Sequence, residues 1–346
     1  MNYNNLLEIN IFFFVFVSSI LIYFINKFTL FYLKKFQVLD LNELNNNKKI
    51  YTGLGVSLAI ISFLYFLLFM IFADPNTEYY HIKFLPIPLS VFLIGTIGFW
   101  DDYKGTPVHL RLTIFFTCCF LSTASLSNNL LPFIQFHKLE LILITLFWVY
   151  MINASNFMDG GDRYIVNSLL PNTLFFIFYF IYLDYDFLRA QINILLLIFI
   201  IHFSFYNKYP AKYFMGDSGS LVLGYLYSWN ILYLIQNNEY LISVILSLFL
   251  LADVSITLLI RVLSNKNIFS RHKGFLIHVA KFLKRKPLQI SNAILFLNIT
   301  LVILAIVYKL FFDSLLVLFI SILILLIYFL YLLRFKIGNI KFVIKN

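Results

Sequence analysis

The residues able to do chemistry in this chain fall in four short polar stretches, each at the end of a long apolar run. The first is Gly98–Gly105, GFWDDYKG, with Asp101 and Asp102 adjacent. Two carboxylates this close raise one pKa unless a cation is near, so the pair predicts a divalent ion or a proton-accepting role. Alone, it also fits an ordinary solvated helix end. The second, NASNFMDGGDRYI at Asn153–Ile165, spaces Asn153, Asn156 and Asp159 three apart, which stacks them on one helical face. Asp162 continues the row beyond a Gly160–Gly161 break, where the backbone can approach a ligand. Two amides and two acids in line suit a sugar or a base; a polar seam between helices is the plainer alternative.

The third stretch, KYFMGDSGS at Lys212–Ser220, places Asp217 between two glycines where an apolar helix begins. A helix N-terminus attracts phosphate, and a carboxylate there can hold Mg2+ against a diphosphate. The bland alternative makes Asp217 the helix N-cap. The fourth, Leu263–Leu288, is long and basic and includes Arg271, His272 and Lys273, side chains suited to phosphate. Ahead of it, Asp253, Thr257 and Arg261 repeat at i, i+4 and i+8 and predict a polar stripe along one helix.

The elements that must position these groups are membrane spans. The 346 residues are 61% hydrophobic and 12% charged, against about 25% charged in soluble domains. Apolar runs near bilayer length mark eleven spans: Ile11–Leu33, Gly53–Phe72, Pro86–Trp100, Leu110–Ser125, Leu139–Asn156, Tyr164–Leu183, Gln191–Tyr206, Ser218–Ile235, Leu241–Val262, Ile290–Leu310 and Ser314–Leu333. The expected fold is an all-α polytopic membrane protein with about 10–11 transmembrane helices, one domain over residues 1–346. The first run is expected to be an anchor helix rather than a signal peptide. Cys118 and Cys119 are neighbours in an apolar run and point apart on a helix, so they suggest neither a disulfide framework nor a metal site. Of the 26 Lys and Arg, all but Lys83, Lys138, Arg189 and Lys309 fall on the odd-numbered loops, the end of the first span and the C-terminal tail. Positive-inside bias then puts the N-terminus outside, the C-terminus in the cytoplasm and all four polar stretches on the cytoplasmic face. It also directs the net charge of +10 toward anionic headgroups and substrates rather than nucleic acid.

Taken together, these stretches resemble the polyprenyl-phosphate N-acetylhexosamine-1-phosphate transferases, glycosyltransferase family 4, the superfamily of the phospho-MurNAc-pentapeptide translocase. The resemblance runs from Thr52 to His278. TGLG at Thr52–Gly55 looks like a weakened form of a family loop, without its Pro and one Gly, GFWDD carries the paired acids with Arg111 following, and NASNFMDGGD and FMGDSGS are the most specific matches. The NFMDG wording and His272–Lys273 look more like the branch that starts O-antigen and related surface glycans, hence lipopolysaccharide or cell-wall biogenesis. Arg163 stands where the family usually has glycine, and Phe275 where a second histidine is expected.

The resemblance implies attack of undecaprenyl phosphate on a UDP-N-acetyl sugar, release of UMP and a multi-pass location in the bacterial inner membrane. It implies catalytic Asp101 and Asp102, and Asp217 as ligand of Mg2+, with Mn2+ as a substitute. Asn153, Asn156, Asp159, Asp162, Phe214, Arg261, Arg271, His272 and Lys273 would bind substrate, Phe214 by stacking on the base. A homodimer is a further expectation. Three alternatives stay open: an inactive relative serving as an assembly partner, a transporter, whose polar groups would sit at mid-membrane, and an aromatic prenyltransferase, which needs two Asp-rich motifs.

Overall fold

The computed structural model describes residues 3–42, 48–72, 84–126, 130–266, 275, 277, 279–280, 283–311 and 314–334. Each of the eleven expected spans corresponds to a helix: α1 (Tyr3–Lys35), α2 (Val56–Phe72), α3 (Pro86–Lys104), α4 (Val108–Ser125), α5 (His137–Met158), α6 (Tyr164–Phe178), α7 (Phe187–Tyr206), α8 (Asp217–Gln236), α9 (Tyr240–Leu263), α10 (Pro287–Leu310) and α11 (Leu315–Leu332). Helix α6 continues into a wider π turn, Tyr179–Leu183. Among the described residues, eight helices are long and apolar enough to cross a membrane. The fold is therefore an all-α polytopic membrane protein, with one small addition. Strands β1 (Leu39–Asn42) and β2 (Lys48–Tyr51) pair antiparallel, Leu39 opposite Tyr51. Four residues of strand between charged neighbours carry too little periodicity to show in a hydropathy reading.

Helix α8 is the axis of the molecule. It packs most extensively on α5 and α3 and touches α2 and α9 as well. It is buried on every side, so it needs no lipid-facing apolar stripe and can carry Ser218, Ser220, Gly224, Ser228 and Asn230 at its seams. The lipid-facing surface is supplied by the outer helices: Phe12, Phe13, Phe16, Phe24 and Phe28 of α1 and Leu315, Leu316, Phe319 and Leu323 of α11 are exposed.

Two glycines bring α3 and α8 together at one end. A Cβ on Gly98 would lie 2.6 Å from the Asp217 carbonyl, so only glycine admits this approach. Gly216 has φ +77°, a left-handed conformation that glycine adopts without cost, and a Cβ there would lie 2.4 Å from the Asp102 carboxylate. The Thr52–Gly55 loop locks onto the same turn: Phe214 N donates to Tyr51 O at 2.9 Å and Gly55 N to Met215 O at 2.9 Å.

Candidate active site

Five helix ends meet here: the C-termini of α3 and α5 and the N-termini of α2, α4 and α8. Their alternation along the chain follows from antiparallel neighbours joined by short connections. The two adjacent acids of α3 have different tasks. Asp101 turns toward α4, where one carboxylate oxygen accepts from Thr106 N at 2.6 Å and Thr106 Oγ1 at 2.5 Å. Its other oxygen meets Arg111 at 2.6 Å. The same guanidinium nitrogen lies 2.7 Å from Asp217. Arg111 thus bridges two carboxylates from different helices, and all three side chains are about one-fifth exposed.

Asp102 turns the other way. It accepts from the backbone N–H of Asp217 at 3.0 Å and of Ser218 at 3.2 Å. The N-cap of α8 is Gly216, whose missing side chain cannot satisfy these donors. A carboxylate from α3 therefore caps α8, and Asp217, the first helical residue, is released from the capping task that its sequence position suggested. Asp101, Asp102 and Asp217 lie just beyond the apolar spans of their helices. Burial raises the Asp102 pKa well above the usual carboxylate range, the Asp217 charge adds to this, and the two N–H donors oppose it. Burial, then Asp101, pushes Asp217 up to about 7 against the pull of Arg111 and Asn156.

The second motif supports the floor of the site. Asn156 accepts from Ser220 Oγ at 2.6 Å, while Asn153 donates back to Val149 O of its own helix at 2.8 Å. Asp159 accepts from Gly216 N at 2.8 Å and is 8% exposed. Asp162 is 5% exposed. These two acids, expected to face a base, are both buried, Asp159 against the Gly216 turn. Phe214 is also buried, against Ile50 and Ala211, and would have to leave that cluster to stack on a base. Arg261 is buried at 4% exposure together with Asp253 and Thr257, so the predicted stripe is an interior one. Arg271, His272 and Lys273 lie outside the described residues.

The departures at positions 163 and 275 have a physical basis. Arg163 sits at φ 62°, ψ 15°, the left-handed conformation in which glycine is common. Its N–H donates to Asn207 Oδ1 at 2.6 Å and its Nε to Ser204 O at 3.2 Å. Phe275 is buried against Phe157 of α5, ring centroids 4.6 Å apart, which puts this one residue beside the second stretch. Sequence reasoning missed Asn207 and Thr106. Asn207 is fully buried at the end of α7 and ties Arg163 N to Tyr213 O, the latter at 3.0 Å. An asparagine ending an apolar run was its only sequence signal.

Among the described residues no group of three or more His, Cys, Asp and Glu is disposed to hold a metal. The hard oxygens of Asp101 and Asp217 on either side of one cationic nitrogen are a donor set that suits a Mg2+ keeping several waters.

The fold and site define a helical membrane protein with carboxylates gathered at helix ends. Residues 84–235 match the family model of glycosyl transferase family 4. The chain is 32% identical to a phospho-N-acetylmuramoyl-pentapeptide-transferase of Petrotoga mobilis over 169 residues, 41% of this chain and 49% of the relative. It is 30% identical to that of Streptococcus mutans over 161 residues, 40% and 46%. These matches span about half the length of the relatives. A third, from Prochlorococcus marinus, is 26% identical over 343 residues, 89% of this chain and 92% of the relative. The chain is similar to glycosyl transferase family 4 over residues 84–235 and, at lower identity, to a whole relative of that kind.

Proposed function

We propose that this protein transfers an N-acetylhexosamine 1-phosphate from a UDP-sugar to undecaprenyl phosphate at the cytoplasmic face of the inner membrane. The observation that carries the reading is the Asp101–Arg111–Asp217 bridge, half-open at one end of the helices and flanked by the Asp102-capped N-terminus of α8. A phosphate oxygen of the lipid attacks the β-phosphorus of the nucleotide sugar, the bond to the α-phosphate breaks, and UMP leaves with that electron pair. The work left to the protein is positioning and neutralisation of charge. Asp101 accepts the proton of a lipid phosphate that enters protonated. Arg111, set between two acids, can turn to the phosphates as they arrive. Asp217 would hold Mg2+, which when bound would supply further charge neutralisation.

The NFMDG wording and the His272–Lys273 pair favour a donor for O-antigen or related surface glycans, whereas the matched relatives are named for the MurNAc-pentapeptide donor. The inner membrane, with N-terminus outside, accords with the basic residues gathered on one set of loops. The test is UMP release by purified protein given undecaprenyl phosphate, Mg2+ and a panel of UDP-N-acetyl sugars, with an EDTA control. Metal-dependent UMP with one donor supports the reading and names the sugar. Folded protein that binds UDP-sugars and releases no UMP supports the inactive-relative alternative instead.

A further inference from the structure

Thr106 stands just ahead of α4, a place where a threonine hydroxyl commonly accepts from an N–H of the first helical turn and caps the helix. Here it does not. The N-cap of α4 is Pro107, without a side-chain cap, and Pro107 O accepts from Leu110 N at 3.1 Å and Arg111 N at 3.3 Å. The Thr106 hydroxyl turns back instead. It donates to Asp101 Oδ1 at 2.5 Å, and Thr106 N donates to the same oxygen at 2.6 Å. The connection between α3 and α4 is shaped for this return. Gly105 has φ +75° and ψ 147°, a conformation that glycine enters freely, and its N–H donates to Asp101 O at 2.8 Å. A Cβ on Gly105 would meet nothing within 4 Å, so the turn of the backbone, and no close approach, is what calls for glycine. Pro107 fixes the backbone on the other side of Thr106 at φ −60°. The whole connection is thus folded around Asp101.

The consequence falls on the other carboxylate oxygen. Oδ1 is held by two donors that belong to the connection and stay with it, while Oδ2 meets Arg111 at 2.6 Å, the arginine that also reaches Asp217 at 2.7 Å. A carboxylate gripped by an N–H and an O–H on one oxygen cannot turn about its last bond without losing both, and bonds to a charged acceptor are the strong ones. When Arg111 turns to arriving phosphates, an unheld Asp101 would follow the guanidinium or swing to water. A held Asp101 keeps Oδ2 aimed into the site. We infer that Thr106 is a positioning residue of the transfer: it acts through Asp101, by fixing which carboxylate oxygen faces Arg111 and the incoming phosphates. The assignment rests on the transferase reading. The backbone N–H alone leaves Asp101 a single pivot; the hydroxyl supplies the second direction that stops rotation.

The experiment compares UMP release by the full chain as wild type, Thr106→Val, Thr106→Ala and Thr106→Ser, with undecaprenyl phosphate, Mg2+ and the UDP-sugar that wild type uses. Valine keeps the shape of threonine and the backbone N–H bond and removes only the hydroxyl; alanine removes it without adding bulk. Both are expected to lower kcat at least about tenfold, the scale of one hydrogen bond to a charged group, with KM for the UDP-sugar unchanged. Thr106→Ser, which keeps the hydroxyl, is expected to restore kcat, and all four proteins to unfold at closely similar temperatures. Wild-type kcat in folded Thr106→Val and Thr106→Ala overturns the assignment and leaves the reaction standing. So does a loss that serine fails to restore, or a raised KM with kcat kept, which would set Thr106 against the donor itself. Valine and alanine variants that both unfold at the assay temperature would make the hydroxyl a structural bond and overturn the positioning role as well. Wild type that releases no UMP with any donor removes the transferase reading, and this assignment with it.

Discussion

The two ends of α8 handle buried charge in opposite ways. At the end away from Asp217, Arg189 is enclosed. It pairs with Asp186 at 3.2 Å, donates to Trp229 O at 3.3 Å, and lies 3.8 Å and 4.0 Å from the Trp229 and Tyr233 ring centroids. Tyr233 in turn donates to Asp184 at 2.6 Å, and Lys309 pairs with Glu239 nearby. Cations and acids there satisfy one another, and aromatic faces seal the cluster. At the Asp217 end, Asp101 and Asp217 share Arg111 in a bridge that stays partly exposed, while Asp102 is held by the backbone N–H groups that open α8. Closed charge holds helices together; the open bridge is the part that the proposed reaction would use to receive a cation and phosphate.

The sharpest way to break this contrast is to neutralise one acid at the open end. Asp217→Asn should lower turnover by at least about 10²-fold, the scale of losing one electrostatic contact to the transferring group, while thermal unfolding in detergent stays close to wild type. Wild-type turnover would remove Asp217 from the chemistry. The opposite end should give the converse. Arg189→Ala strands Asp186 and should cost about 3–5 kcal/mol of stability, with kcat of the folded protein unchanged. A variant that unfolds normally and loses turnover would show that the closed cluster takes part in function.

Asp102 lies between these extremes, and its capping role was not legible in the sequence. A cap supplied by the residue's own turn can be read from local spacing; this one arrives from α3, more than a hundred residues earlier, through a contact that requires glycine at 98 and 216. The same limit hid the burial of Asp159 and Phe214, which depends on how the Thr52–Gly55 loop docks on the Phe214–Gly216 turn. By contrast the eleven helices, and the gathering of Asp101, Asn156 and Asp217 at one end, were legible, because hydropathy fixes span length and alternation fixes which ends are neighbours. Asp102→Ala should cost about 1–2 kcal/mol through the lost cap, and Asp102→Asn, which keeps an acceptor, clearly less. Equal losses would show that the carboxylate charge, rather than its hydrogen bonds, holds α8.

The raised pKa of Asp217 gives a pH signature of the open end. Its folded value of about 7 exceeds its ordinary 3.8. In metal-free protein its contribution to stability is therefore present below about pH 4 and lost as pH rises toward 7. Mg2+ requires the carboxylate, so thermal stabilisation by Mg2+ should be small near pH 6 and grow to a plateau near pH 8. Equal stabilisation at both would place the metal elsewhere. The smallest effect is expected from Arg163→Gly. It relieves a left-handed backbone and gives up the bond to Ser204 O, so stability should change by no more than about 1 kcal/mol, with turnover intact.

The most direct test of the contrast is Mn2+ binding followed by electron paramagnetic resonance in the presence of UDP. Wild type and Arg189→Ala are predicted to bind one ion per chain, and Asp217→Asn to bind none at the same concentration. An Asp217→Asn protein that holds Mn2+ as wild type does would contradict the proposal that the open carboxylates at this end of α8 form a cation site.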